Sequence, residues 1–257
     1  MTAIAVTVSG LHPMIPPARL LGPTFRPTGE TWTADLAPAA AADVAARLRA
    51  LTLAGSRLEV TLLPKLGRDA IRAARTRDAV ARRNTTPRGD LRVDEVGRIG
   101  ASPAKLADAL AARWSGAVVV DAMAGCGGDA LAFARAGCRV TAIEIDPGRA
   151  ALLRENARAA RLAITVLQTD ARIALEGLSG DLLHVDPPWD DLPSLHGVWA
   201  HRHRFGDATA KLPPHFDPNV LPSCSWEPVF GLAEGDRHRV KWLHATYKGR
   251  PNQGWRA

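Results

Sequence analysis

Residues 118–131 read VVVDAMAGCGGDAL: a β-branched run, an acidic residue, a glycine-rich turn, then the start of an amphipathic helix. Three consecutive valines suit a strand buried on both faces, and a strand that passes through glycines into a helix is the opening of a βα unit. Working outward, residues 102–114 (SPAKLADALAARW) form a helical pattern, with Ser102 and Pro103 expected as N-cap and first helical residue. Downstream, residues 140–145, 164–167 and 181–185 are short apolar strands, separated by helical patterns at 147–162 and 171–177. Such alternation predicts an α/β domain with a mostly parallel sheet, seven strands in all. Residues 208–212 are its fifth strand, and the runs at 226–232 and 239–247 close it with an antiparallel hairpin.

The chemistry sits at the strand ends. The loop lacks both the G-x-G-x-x-G of dinucleotide binders and the G-K-[ST] of a P-loop. Gly125 and Gly127 allow close backbone approach to a ligand, and the following helix offers free N–H groups. Asp121, at the end of the first strand, suits a cationic amino group and repels a pyrophosphate. That combination favours S-adenosyl-L-methionine, whose ammonium a carboxylate can hold. Glu144 ends the next strand, where an acid receives ribose hydroxyls. Asp146 is read as a helix N-cap. Asp170 ends the third strand, at the expected level of an adenine ring, with an N-cap as the alternative.

The most specific feature is Asp186-Pro187-Pro188-Trp189, directly after a buried strand. The lone pair of an exocyclic amine is delocalised into its ring. The Asp186 carboxylate and the Pro187 carbonyl can each accept an amine hydrogen and localise that pair on nitrogen, while Trp189 offers a π-face to the base. These three are the candidate catalytic residues. His184, and His196, His201 and His203 in a following loop, are further candidates as proton acceptors.

Composition sets the frame. The 257 residues carry a net charge of +7 and three cysteines without zinc-type spacing, so neither a disulfide framework nor a metal site is expected. No signal peptide or membrane span is apparent, which points to a cytoplasmic protein. Residues 1–100 are expected to form a small N-terminal α+β domain followed by a basic helical region, and residues 101–257 the catalytic domain. Between 65 and 92 there are nine Lys or Arg against three Asp, suggesting contact with nucleic-acid phosphates. The motif Asn84–Gly89 is expected to break that helix.

Three stretches, GASPAKLADALAARW (100–114), residues 118–147 and VDPPWDD (185–191), together resemble the trimethylguanosine synthase family of RNA cap guanine-N2 methyltransferases. The resemblance implies a Rossmann-like class I fold, S-adenosylmethionine bound by Asp121, Gly125, Gly127 and Glu144, and a guanine stacked on Trp189. Two residues depart from the family pattern: Asp186 replaces its serine, and Asp129 its asparagine. The stretch between Trp189 and Lys211 is short, so the helix expected there is reduced or missing. The expected activity is N-methylation of an exocyclic amine, in RNA at guanine N2. The alternative acceptor is a small heteroaromatic or amine metabolite.

Overall fold

The computed structural model describes residues 2–82 and 91–249. These divide into two compact units, one of residues 2–82, 213–222 and 226–243, the other of 91–212, 223–225 and 244–249. The sequence drew one boundary near residue 100. Packing instead puts residues 91–100 in the second unit and returns two later segments to the first. The expected helix break at 84–89 lies outside the described residues.

The first unit opens with β1 (Ile4–Ser9), whose Ile4, Val6 and Val8 alternate inward. A short α1 (Pro17–Leu20) follows, then β2 (Arg26–Thr28) and β3 (Thr31–Leu36). The segment 11–27 is rich in proline, a composition that favours loop. Pro17 instead begins α1, because a proline at the first helical position surrenders no hydrogen bond. Helix α2 (Pro38–Leu48) buries Ala41, Ala42, Val44, Ala45 and Leu48. It ends there because Arg49 is extended and Ala50 left-handed. The tiny strands β4 (Thr52–Leu53) and β5 (Ser56–Arg57) pair around Ala54 and Gly55, both at positive φ, as a two-residue hairpin turn demands. β6 (Glu59–Leu63) completes an antiparallel sheet of order β2-β3-β1-β6.

The basic α3 (Arg68–Ala81) buries only Ala74, half-buries Ile71 and Asp78, and is otherwise exposed. Arg72 pairs with Asp69 at 3.0 Å, Arg77 with Asp43 at 2.7 Å and Arg82 with Asp78 at 3.0 Å. Asp78 also binds Arg239, and its carboxyl lies below the ordinary range because those two guanidinium groups outweigh its partial burial.

In the second unit, α4 (Glu95–Gly100) and α5 (Ala104–Ala111) precede β7 (Val118–Ala122). There follow α6 (Gly128–Arg135), β8 (Arg139–Glu144), α7 (Pro147–Ala159), β9 (Ile164–Gln168), α8 (Ala171–Ala174), β10 (Gly180–Val185), α9 (Leu192–Trp199) and β11 (Phe205–Leu212). With β12 (Ser225–Phe230) and β13 (Val240–Lys248) they build a seven-stranded sheet of order β12-β13-β11-β10-β7-β8-β9. The contiguous pairs from β11 through β10, β7 and β8 to β9 are parallel. This is the seven-stranded, mostly parallel α/β sheet that the alternation of strands and helices predicts. Its core collects Val119, Phe133, Val140, Leu153 and Leu182, each buried. Burying a side chain of that size contributes roughly 1.5–3 kcal/mol. The helix expected to be reduced or missing after Trp189 is present as the eight-residue α9.

Two caps differ from each other. Asp146 caps α7 as expected, accepting from the Arg149 N–H at 2.8 Å. Ser102 does not cap α5; Pro103 stands at the N-cap, and the serine hydroxyl is taken by Lys211. Among the described residues no helix is long and apolar enough to cross a membrane.

Candidate active site

A cleft of about 1020 Å³ opens over the carboxyl ends of β7, β8, β9 and β10. It is at the upper end for small-molecule sites. Asp121, Gly125, Glu144, Asp170, Asp186, Pro187 and Trp189 all line it. Parallel strands direct their carboxyl ends to one edge, so residues scattered over 69 positions converge without any single motif containing them.

Gly125 and Gly127 turn the chain at φ +55° and +93°. Gly125 has open space where a Cβ would stand, and its N–H donates to Glu144 Oε2 at 2.7 Å. Gly127 is different: a Cβ there would meet Leu131 and Leu153 at 2.8 Å, and it is not among the cleft-lining residues. Its glycine requirement comes from helix packing as well as from φ. Neighbouring Met123 also adopts a positive φ, +69°. Asn156, reaching from α7, donates to the Cys126 carbonyl at 2.9 Å and exchanges two bonds with the Arg92 backbone, so the loop is fastened from behind.

The two strand-end acids behave differently. Glu144 is buried, and its oxygens accept N–H groups of Gly125 and of Asp146, the latter at 2.9 Å. It holds the loop, with lone pairs left over. Asp121 is 1% exposed, and neither of its carboxylate oxygens has a hydrogen-bond partner. Burial pushes its pKa up to about 7, with Asp129 and Asp186 adding repulsion and His184 opposing. An orphaned buried carboxylate on a cleft wall fits a ligand ammonium. Asp170 caps α8 through the Arg172 N–H at 2.9 Å and grips the Arg172 guanidinium, which holds its carboxyl below the ordinary range.

At the other end, Asp186 keeps 25% of its side-chain exposure and Trp189 is 42% exposed. Asp186 Oδ2 lies 3.1 Å from Lys211 Nζ. Lys211 sits in β11 between buried Ala210 and Leu212, with its side chain 2% exposed. It also contacts Asp129 Oδ2 at 2.6 Å and the Ser102 hydroxyl. Behind them, His184 Nε2 meets Asp129 Oδ2 at 3.2 Å and His184 Nδ1 meets Thr209 Oγ1 at 2.9 Å. Burial opposes charge on all four ionisable groups. It raises the Asp186 carboxyl, which Lys211 partly restrains. For Asp129 burial is overcome by Lys211 and His184, which hold its carboxyl below the usual range. For Lys211 and His184 it is overcome by the carboxylates, which raise both above their ordinary values.

Sequence reasoning named Asp186 and His184 but missed Lys211 as a site residue. A lysine inside ATAKL, an otherwise buried strand pattern, was the available signal. Of the other candidates, His196 is exposed on α9, while His201 is half-buried and His203 exposed in the 3-10 turn Ala200–Arg204 that follows, where His203 Nδ1 contacts the Ala200 carbonyl. Among the described residues no group of three or more His, Cys, Asp or Glu could hold a metal.

Comparison with known proteins follows the same residues. The family model of the RNA cap guanine-N2 methyltransferases matches residues 116–190. A hypothetical protein of Thermus thermophilus superposes with TM-score 0.51 at 22% identity, over 64% of this chain and 96% of that one. A proposed RNA methyltransferase of Pyrococcus horikoshii gives 0.46 at 15%, over 70% and 98%. TrmN of Thermus thermophilus gives 0.42 at 20%, over 57% and 48%. With its β7 loop, strand order and family match, the chain is an S-adenosylmethionine-dependent methyltransferase of α/β fold.

Proposed function

We propose that the enzyme methylates an exocyclic amino nitrogen of a base, guanine N2 in RNA. The observation that carries this is Asp186-Pro187-Pro188-Trp189 on the wall of the same cleft as the unpartnered carboxylate of Asp121. The residues fit the cofactor. Asp121 would hold its ammonium, Glu144 its ribose, Gly125 and the α6 N-terminus would admit its methionine end, and Asp170 would border the adenine. S-adenosylmethionine supplies an electrophilic methyl group, whose bond to sulfur breaks with the electron pair staying on sulfur as the amine nitrogen bonds to carbon.

The protein's own share is positioning and electrostatics. Asp186 and the Pro187 carbonyl accept the two amine hydrogens. The buried, rigid Pro187 fixes both acceptors relative to β10. Trp189 stacks on the base. As nitrogen gains positive charge, the Asp186 carboxylate stabilises it, and the surplus proton leaves to water.

RNA is favoured as acceptor by the description of the matching family and by α3. Lys65, Arg68, Arg72, Arg75, Arg77 and Arg82 are all exposed. A surface rich in guanidinium groups suits phosphates. The test is transfer of labelled methyl from S-adenosylmethionine to total RNA and, in parallel, to a small-molecule extract. Labelled N2-methylguanine from RNA digests is expected; label confined to small molecules overturns the RNA reading. Asp186→Ala should lower kcat on the order of a hundredfold; an undiminished rate removes the tetrapeptide from the chemistry.

A further inference from the structure

Lys211 lies in the middle of an apolar strand, where an ammonium is costly unless its donors are used. One carboxylate would neutralise it, and Asp129 at 2.6 Å does so. A fold-stabilising ion pair needs nothing more. Yet Lys211 also reaches Asp186, at 3.1 Å, the one member of the cluster that keeps substantial exposure to the cleft. Asp129 is itself held by His184, and His184 by Thr209, so the ammonium is located from three sides by β10, β11 and α6.

We propose that Lys211 is the positioning residue for Asp186, tying down one carboxylate oxygen in ionised form and leaving the other for the substrate amine. The inference rests on the reading of Asp186 as the amine acceptor. Its physical content is a division of labour. Asp129 offsets the charge of Lys211, so the ammonium orients Asp186 without cancelling its field at the amine. Without Lys211, burial and the neighbouring carboxylates would drive Asp186 towards the neutral acid, a poor acceptor. The charged or titratable groups that face Asp186 are Asp121 from β7, Asp129 from α6, His184 from β10 and Lys211 from β11.

The proposal makes predictions of opposite sign. In Asp129→Asn, Asp186 becomes the one carboxylate on Lys211 and also loses the repulsion of Asp129, so the Asp186 titration midpoint, followed by carboxyl carbon NMR on the cofactor-free protein, should fall. In the charge-balanced Lys211→Met/Asp129→Asn it should rise by about 1–3 pH units, since the nearer charge dominates. The same double variant should melt cooperatively and bind S-adenosylhomocysteine. Its single-turnover methylation of total RNA should slow by about tenfold to a hundredfold at neutral pH and recover as pH is raised through the new midpoint, with KM little changed. An Asp186 midpoint that ignores both substitutions overturns the proposal, as does a wild-type rate in the double variant. Should the double variant fail to fold, Lys211→Gln/Asp129→Asn, which keeps a polar side chain in the same place, puts the same question to the Asp186 midpoint. Asp186→Ala in the same assay separates the two layers. If it is slow while the midpoint ignores Lys211, only the positioning role falls. If it is fast, the acceptor reading falls and the positioning role with it.

Discussion

The ends of β7 and β8 and the ends of β10 and β11 handle buried charge in opposite ways. At the first pair, Glu144 is committed to two backbone N–H groups and Asp121 to nothing. At the second, Asp186, Lys211, Asp129 and His184 are tied to one another in a chain of contacts between 2.6 and 3.2 Å, all of those on Asp129 falling on Oδ2 while its Oδ1 has no hydrogen-bond partner. One region leaves a whole carboxylate for a ligand to finish; the other has its charges tied together before any ligand arrives. The lesson is that a buried carboxylate with neither oxygen partnered marks where binding energy will be gained, and an interlinked cluster marks where geometry is held.

The contrast can be broken most severely at Lys211. Lys211→Ala leaves the buried Asp129 and the half-buried Asp186 without their ammonium and should destabilise the protein by about 3–5 kcal/mol. Chemical denaturation measures it, and a loss below about 1 kcal/mol would mean the cluster is solvated rather than closed.

Asp121 should respond in the reverse sense. Its pKa in the folded protein is about 7, above the unfolded value, so between about pH 4 and 7 the folded state holds a proton the unfolded state has released. Stability from this group is therefore present at low pH and lost as pH rises to 7. Asp121→Asn should remove that slope and stabilise the cofactor-free protein at pH 8 by about 1–3 kcal/mol. It should also weaken cofactor binding by a similar amount, since an amide cannot neutralise an ammonium. Thermal melts from pH 5 to 8 and calorimetry check the two halves; an unchanged affinity removes Asp121 from the binding site.

Trp189 sharpens the comparison from the substrate side. Stacking is worth roughly 1–3 kcal/mol per base, so Trp189→Ala should raise KM by about one to two decades while Trp189→Phe is tolerated. Steady-state kinetics that show the loss in kcat instead would make Trp189 part of the chemical step. The smallest effect belongs to Glu144→Gln. It keeps one acceptor for the two N–H groups and should cost about 0.5–1.5 kcal/mol of stability, read from urea titration.

Legibility followed the same divide. The β7 loop, Glu144 and the Asp186 tetrapeptide are local signals: each lies within a few residues of a strand end, and β-branched runs and glycines reveal strand ends. The Lys211 cluster is assembled from α6, β10 and β11, and it exists because β11 neighbours β10 in the sheet. Nothing periodic announces that adjacency. Asp129 was visible only as a departure from a family asparagine; its meaning depends on an ammonium 82 residues away. Where sequence reading erred locally, a competing turn or packing preference won. Ser102, expected as an N-cap, surrendered that role to Lys211. Gly127 was read as a ligand contact, but Leu131 and Leu153 already explain why no side chain fits there.

The Asp129–Lys211 contact also constrains how such a chain can change over generations. Replacing either residue alone strands a charge in the interior, at a cost comparable to a large share of a domain's total stability of about 5–15 kcal/mol. Replacing both by matched neutral residues avoids most of that cost. Between the two lies a valley that single substitutions cross only with help from elsewhere. Descendants of this sequence should therefore keep the pair intact or lose it whole, and the two positions should vary together even where the surrounding strand drifts freely.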